Sequence, residues 1–135
     1  MLQGIFQSTT IPVLEQVVSF AQARHTVLAG NIANWGTPGY EAKDLSTADF
    51  QARLRQAIEA RQAPAPQSPG EPGFGRDLLA EAAKDPRSIL FHDQSDDAIE
   101  LQVSEMVKNQ MQHNMALAIM TSQFRLLQAA ISERV

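Results

Sequence analysis

Residues 30–40 read Gly30-Asn31-Ile32-Ala33-Asn34-Trp35-Gly36-Thr37-Pro38-Gly39-Tyr40, and their reading decides the fold. They close one long amphipathic pattern and open a turn that needs special backbone angles. Gly36 stands just past the last periodic apolar residue, where a left-handed helix-ending residue is expected. Pro38-Gly39 fits the two central positions of a type II turn. Proline presets φ at the first position, and glycine supplies a positive φ at the second without steric cost. Taken by itself this is a well-punctuated helix–turn, such as many helical proteins carry.

On the N-terminal side, Thr10 or Ile11 caps a helix with Pro12 in its first turn, where a missing N–H costs nothing. Leu14, Val18, Ala21, His25, Leu28, Ile32 and Trp35 then recur at alternating spacings of four and three. This is a heptad seam, the pattern by which one helix lies along another. His25 is its titratable member and reads as a hydrogen-bonded packing residue rather than a switch. Gly30 costs ~1 kcal/mol relative to alanine inside a helix. With Ala29 and Ala33 it forms a small-residue patch that could admit the close approach of a second backbone.

On the C-terminal side, Ser46 is a good N-cap for a second helix running to about Gln62. Asp49 falls at N3, and Leu45 and Phe50 occupy the hydrophobic-staple positions. Phe50, Leu54 and Ile58 form its narrow apolar stripe. The stretch 63–75 then holds four of the seven prolines and three of the seven glycines. It has little apolar surface to bury and is expected to be a mobile linker. Asp77 to Lys84 reads as a short helical stretch stopped by Asp85-Pro86. Ile89-Leu90-Phe91 fits a short strand or an extended anchor.

The last segment carries the longest pattern. Asp97 is placed as a cap with Glu100 at N3. Asp93, Asp96, Asp97, Glu100 and Glu105 cluster here with no base among them, which suits the positive pole of a helix. Ile99, Val103, Met106, Gln110, His113, Leu117, Met120, Phe124, Leu127 and Ile131 keep the four–three spacing without a slip. Met111, Met115 and Ile119 widen the stripe on one side. Such a helix has more apolar surface than the first helix can cover. Antiparallel pairing of the two would bring Ile32 and Trp35 near Gln110 and His113.

These patterns predict an all-α chain: antiparallel N- and C-terminal heptad helices forming a coiled-coil-like hairpin, with a shorter middle helix and a Pro/Gly-rich mobile linker. The expected division of a single domain is 1–36 for the first helix, 37–62 for the turn and middle helix, 63–76 for the linker, 77–96 for a variable segment and 97–135 for the last helix.

Composition bounds the function. The chain has 135 residues, 44% of them hydrophobic but only 6% aromatic, so its core is aliphatic for the most part. A net charge of −4 without a basic run argues against a nucleic-acid or anionic-membrane partner. Cysteine is absent, which removes disulfide and thiol chemistry. The first basic residue is Arg24, and nothing resembles a cleaved secretory signal. No apolar run approaches the roughly 20 residues of a membrane span. A protein of this kind would leave the cytoplasm only by a route that reads no such signal.

Catalytic, metal and cofactor sites find no support. Asp93, Ser95 and Asp97 mimic the opening of a calcium loop, but Ala98 replaces its turn glycine and Ser104 its closing glutamate. The three histidines are far apart, without ligand partners at helical spacing. No nucleophile elbow, phosphate loop or paired-acid pocket is recognisable. Met106, Met111, Met115 and Met120 could line an adaptable groove, but at helical spacing they read as packing residues.

Asn31-Ile32-Ala33-Asn34 followed by Thr37-Pro38-Gly39-Tyr40 resembles the N-terminal signature of the bacterial flagellar axial proteins. The layout of two terminal heptad helices around a variable middle resembles a subunit of the flagellar basal-body rod. Ala42-Lys43-Asp44-Leu45 and the run from Glu100 to Met106 are most similar to the proximal rod subunits. Ser95-Asp96-Asp97 stands where that family often has an Asp-Gly-Asn-type turn. The resemblance implies a non-enzymatic structural subunit of the drive shaft at the basal body, in the periplasmic rod. It would be exported through the flagellar type III apparatus without signal cleavage, and its partners would be copies of itself, other rod proteins and the membrane-ring adaptor. Assembly would then use Leu14, Val18, Leu28, Ile32, Val103, Met106, Leu117, Met120, Phe124, Leu127 and Ile131. The alternatives are the companion proximal rod protein and a soluble type III export chaperone or adaptor.

Overall fold

A computed structural model describes residues 9–62, 87–88 and 96–132. Among the described residues three helices carry the architecture: α1 (Ile11–Ala33), α2 (Thr47–Gln62) and α3 (Asp96–Ser132). Between them, β1 (Lys43–Asp44) and β2 (Arg87–Ser88) form an antiparallel ladder with Lys43 opposite Ser88 and Asp44 opposite Arg87. Two-residue strands leave no alternation to read, so the ladder has no sequence signal. The linker, the stretch from Asp77 to Lys84, the triplet Ile89-Leu90-Phe91 and the residues at Asp93 and Ser95 lie outside the described residues.

α1 begins with Pro12 in its first turn, as expected, although the Thr10 side chain makes no capping bond. Its end differs from the sequence reading. Gly36 is not left-handed: Gly39 is the residue with positive φ among those described, at 77°. Asn34 closes the helix instead, its backbone N–H reaching the Gly30 carbonyl at 3.1 Å and its side-chain Nδ2 the same oxygen at 2.9 Å. A side chain that satisfies a terminal carbonyl removes the need for a left-handed residue there.

α2 starts as Ser46 predicts, with the Asp49 N–H donating to Ser46 Oγ at 3.2 Å. Phe20 of α1 stacks on Phe50 of α2 with ring centroids 4.0 Å apart and planes 7° from parallel. Leu45 completes this core, and Val17, Ala23, Val27 and Leu54 pack around it. No residue of α3 belongs to the cluster.

α3 has 37 residues, against 23 in α1. It begins at Asp96, one residue before the expected cap. The bonds between the two helices run in opposite order along them: Ala21 with Asn109, Arg24 with Glu105, Asn31 with Gln102. In this register Ile32 lies beside the first turns of α3, not near Gln110 and His113. The buried stripe of α3 is Ala98, Gln102, Asn109 and Ala116, with Glu105 and His113 half-buried on it. Except at His113, which belongs to both, that stripe is displaced by one residue, about 100° of helix, from the apolar seam read from the sequence. Val103 (40% exposed), Gln110, Leu117, Phe124 (46%) and Ile131 therefore face outward, while Met106, Met120 and Leu127 are half-buried. Met111, at 67% exposure, and Met115 are not packing residues in this fold either. Apolar periodicity cannot see a stripe whose Asn and Gln side chains are satisfied by hydrogen bonds.

Candidate functional site

The turn after α1 is built around a buried carboxamide. Asn31 has 0% exposure. Its Nδ2 donates to the Lys43 carbonyl at 2.7 Å and to Gln102 Oε1 at 3.1 Å. Its Oδ1 accepts from the Lys43 N–H and from the Tyr40 hydroxyl, both at 3.1 Å. Two donors and two lone pairs are all that an asparagine side chain has, so this one is saturated. The backbone of Lys43 also fixes its orientation, since an N–H can face only the oxygen and a carbonyl only the nitrogen. Asn31 thus pairs with both backbone groups of Lys43 as a neighbouring strand would, at the residue where β1 begins.

The other motif residues serve this hub. The Tyr40 N–H bonds the Thr37 carbonyl at 3.1 Å, and Gly39 has its positive φ, which makes Thr37–Tyr40 the expected type II turn. The turn folds Tyr40 back under α1, so that its hydroxyl reaches Asn31. A Cβ built on Gly30 would lie 3.8 Å from the Tyr40 hydroxyl, an ordinary contact, with nothing else within 4 Å. Among the described residues no second backbone comes within 4 Å of that position at Gly30. Ile32, Asn34 and Trp35 are half-buried, and Ala33 and Thr37 are exposed.

A partly buried ion network lies two helical turns earlier. Arg24 is buried on the same face of α1 as Leu28 and Asn31. Its Nε and Nη2 grip the two carboxylate oxygens of Asp44 at 2.9 and 2.6 Å. Nη2 also reaches Glu105 Oε2 at 3.0 Å, and Lys108 Nζ bonds the other oxygen of Glu105 at 2.8 Å. One guanidinium therefore ties α1 to β1 and to α3. The Asp44 bonds raise the Arg24 pKa further above its ordinary value, against the cost of burial. Lys108 first, and then Arg24, hold the Glu105 carboxyl below its ordinary pKa. Glu105 is therefore not part of an acidic cluster without bases. Asn109 adds a third link, its Nδ2 donating to the Ala21 carbonyl at 2.7 Å.

Of the expected seam in α1, Ala21 and Leu28 are buried, while Leu14, Val18, His25, Ile32 and Trp35 are half-buried. His25 Nδ1 is buried without a hydrogen-bond partner among the described residues, as are His113 Nδ1 and Gln16 Oε1. The hydrogen bond expected at His25 is thus absent from that nitrogen. Sequence reasoning missed Arg24, Asp44, Gln102 and Asn109 as an interface. The signal available was the four–three spacing of polar and small residues along 98, 102, 105 and 109. Among the described residues no group of three His, Asp or Glu could hold a metal ion, and no helix is long and apolar enough to cross a membrane. The arrangement can orient helices.

No family model matches the chain, and no solved structure matches it. Over 45 residues, 33% of its length, the chain is 40% identical to a protein of Proteus mirabilis (strain HI4320) described as flagellar basal body rod protein FlgB. A second Proteus mirabilis protein of the same description matches at the same identity over 45 residues. The match spans 31% and 30% of these relatives, so about a third of each chain is compared.

Proposed function

We propose that this chain is a structural subunit of the bacterial flagellar basal-body rod, of the proximal kind, and not an enzyme. The observation that carries this reading is the surface of α3. It docks on α1 through Gln102, Glu105 and Asn109, and it leaves Leu101, Val107, Met111, Met115, Leu126 and Ile131 in solvent. Such a helix is unfinished in the isolated chain, and a shaft of stacked subunits supplies the missing neighbours. Similarity to rod proteins over a third of the chain supports the same reading.

In this proposal α1 and α3 form an antiparallel hairpin whose turn, fixed by Asn31 and Gly39, aims everything downstream of α1. The chain passes through the flagellar type III apparatus without signal cleavage. It then joins other rod proteins and the membrane-ring adaptor in the periplasmic rod. Deleting the gene is expected to abolish rods and filaments while leaving the membrane ring. The chain is also expected as a stable component of purified basal bodies. Intact rods in the deletion strain would overturn the proposal. Lost rods, with no chain in the purified basal bodies of the parent, would point to an export chaperone instead.

A further inference from the structure

The side of α3 turned away from α1 has a charge pattern of its own. Glu100, Val107, Met111, Asn114, Ala118 and Arg125 share one stripe at heptad spacing, opposite buried Ala98, Gln102, Asn109 and Ala116. All six are exposed. From Asn109 to Phe124 the helix contains no Asp, Glu, Lys or Arg. Its one titratable group there, His113, lies on the α1 side, half-buried. Glu100 and Arg125 are the charged residues of the stripe. They carry opposite signs, stand equally far from its midpoint between residues 112 and 113, and have no ion-pair partner among the described residues.

We propose that a second copy of this chain covers this stripe in solution, with its α3 antiparallel and a two-fold axis through that midpoint. Glu100 then meets Arg125 of the second copy, and the same pair forms again at the other end. Val107 meets Ala118, and Met111 meets Asn114, so a large residue faces a smaller one at each level. A parallel pair would set Glu100 against Glu100 and Arg125 against Arg125, which like charges disfavour. The contact is isologous, and α1 and α2 remain on the outer sides of the dimer. The paired helix length is about 38 Å at 1.5 Å per residue. One face of that length buries area near the lower end of specific interfaces, so the dimer dissociates on dilution. The inference rests on the geometry of α3 and not on the rod reading.

The test is sedimentation velocity of the full chain over a range of concentrations, with circular dichroism to check that helix content is kept. The wild-type chain is expected to pass from monomer to dimer and no further. E100R and R125E should each weaken dimerisation roughly tenfold, because each reversal turns two attractive contacts into repulsive ones. An equimolar mixture of the two variants should recover it, since a mixed pair again sets opposite charges against each other at both ends of the stripe. The double variant E100R/R125E should also dimerise as the wild type does. A chain monomeric at every concentration would overturn the proposal. So would dimerisation that both reversals leave unchanged, or association that grows beyond a dimer and ignores them.

Discussion

α1 meets its two neighbours by different means. Against α2 it presents Phe20, stacked on Phe50 and flanked by Leu45, Val17 and Leu54, a contact made of apolar surface. Against α3 it presents Arg24, the Ala21 carbonyl and Asn31 on the face that also buries Leu28, a contact whose register is set by bonds with fixed partners. Apolar burial stabilises by area and tolerates small shifts of register. A buried guanidinium or carboxamide tolerates none, because a shifted partner leaves it unsatisfied at a cost of several kcal/mol. The first contact therefore adds apolar area, while the second, the more extensive of the two, also states where α3 lies. Because α3 spends its polar stripe on α1, its apolar residues remain for other molecules.

The largest effect is expected at the aromatic stack. Phe20→Ala should cost about 4 kcal/mol, from lost transfer energy and a cavity between α1 and α2. Urea unfolding followed by circular dichroism measures it, and a loss under about 1 kcal/mol would remove the distinction between the two contacts.

Asn31→Ala should come next, at about 3 kcal/mol, because it strands the Gln102 oxygen, the Tyr40 hydroxyl and both backbone groups of Lys43. Its signature differs from that of Phe20→Ala. Amide exchange should accelerate in α3 and around Lys43 before it does in α2. Uniform acceleration would mean that the hub does not act on α3 in particular.

Gly39→Val places a β-branched side chain at a φ of 77° and should cost about 2 kcal/mol. Gly36→Ala, a few residues away with ordinary φ and open space for a Cβ, should cost far less. Thermal melts of the pair compare the two glycines directly. Equal losses would show that the turn does not depend on the positive φ.

Acid should act on the polar contact through Glu105. The folded pKa of Glu105 lies below its ordinary value of 4.5. Its contribution is therefore complete above that ordinary value and is lost as pH falls through the lower, folded one. Glu105→Gln should flatten this part of the stability-against-pH curve and leave the melting of α2 unchanged. A curve as steep as that of the wild type would assign the acid sensitivity to other carboxylates.

The smallest effect is expected at Phe124. The apolar seam read from the sequence includes it, yet it is exposed in the fold. Phe124→Asp should change the stability of the isolated chain by less than about 0.5 kcal/mol. A loss of several kcal/mol would return Phe124 to an intramolecular interface.

Much of the local structure was legible from residues alone, because its causes are local. Ser46 caps α2 through its own hydroxyl, Pro12 fits the first turn of α1, and Pro38-Gly39 sets a type II turn by the φ each residue prefers. The length of α3 follows from an uninterrupted helical pattern without proline or glycine. Which face of α3 meets α1 was decided only by the tertiary structure. Hydrophobic periodicity ranks Val103, Leu117 and Phe124 above Gln102 and Asn109, yet the amides are buried and the apolar residues are not. The reason is that an amide's preference for burial depends on whether a partner waits at the right distance. Here the partners are the Ala21 carbonyl for Asn109 and Asn31 for Gln102, residues far away in the chain that only the folded chain brings within 3.1 Å of the amides.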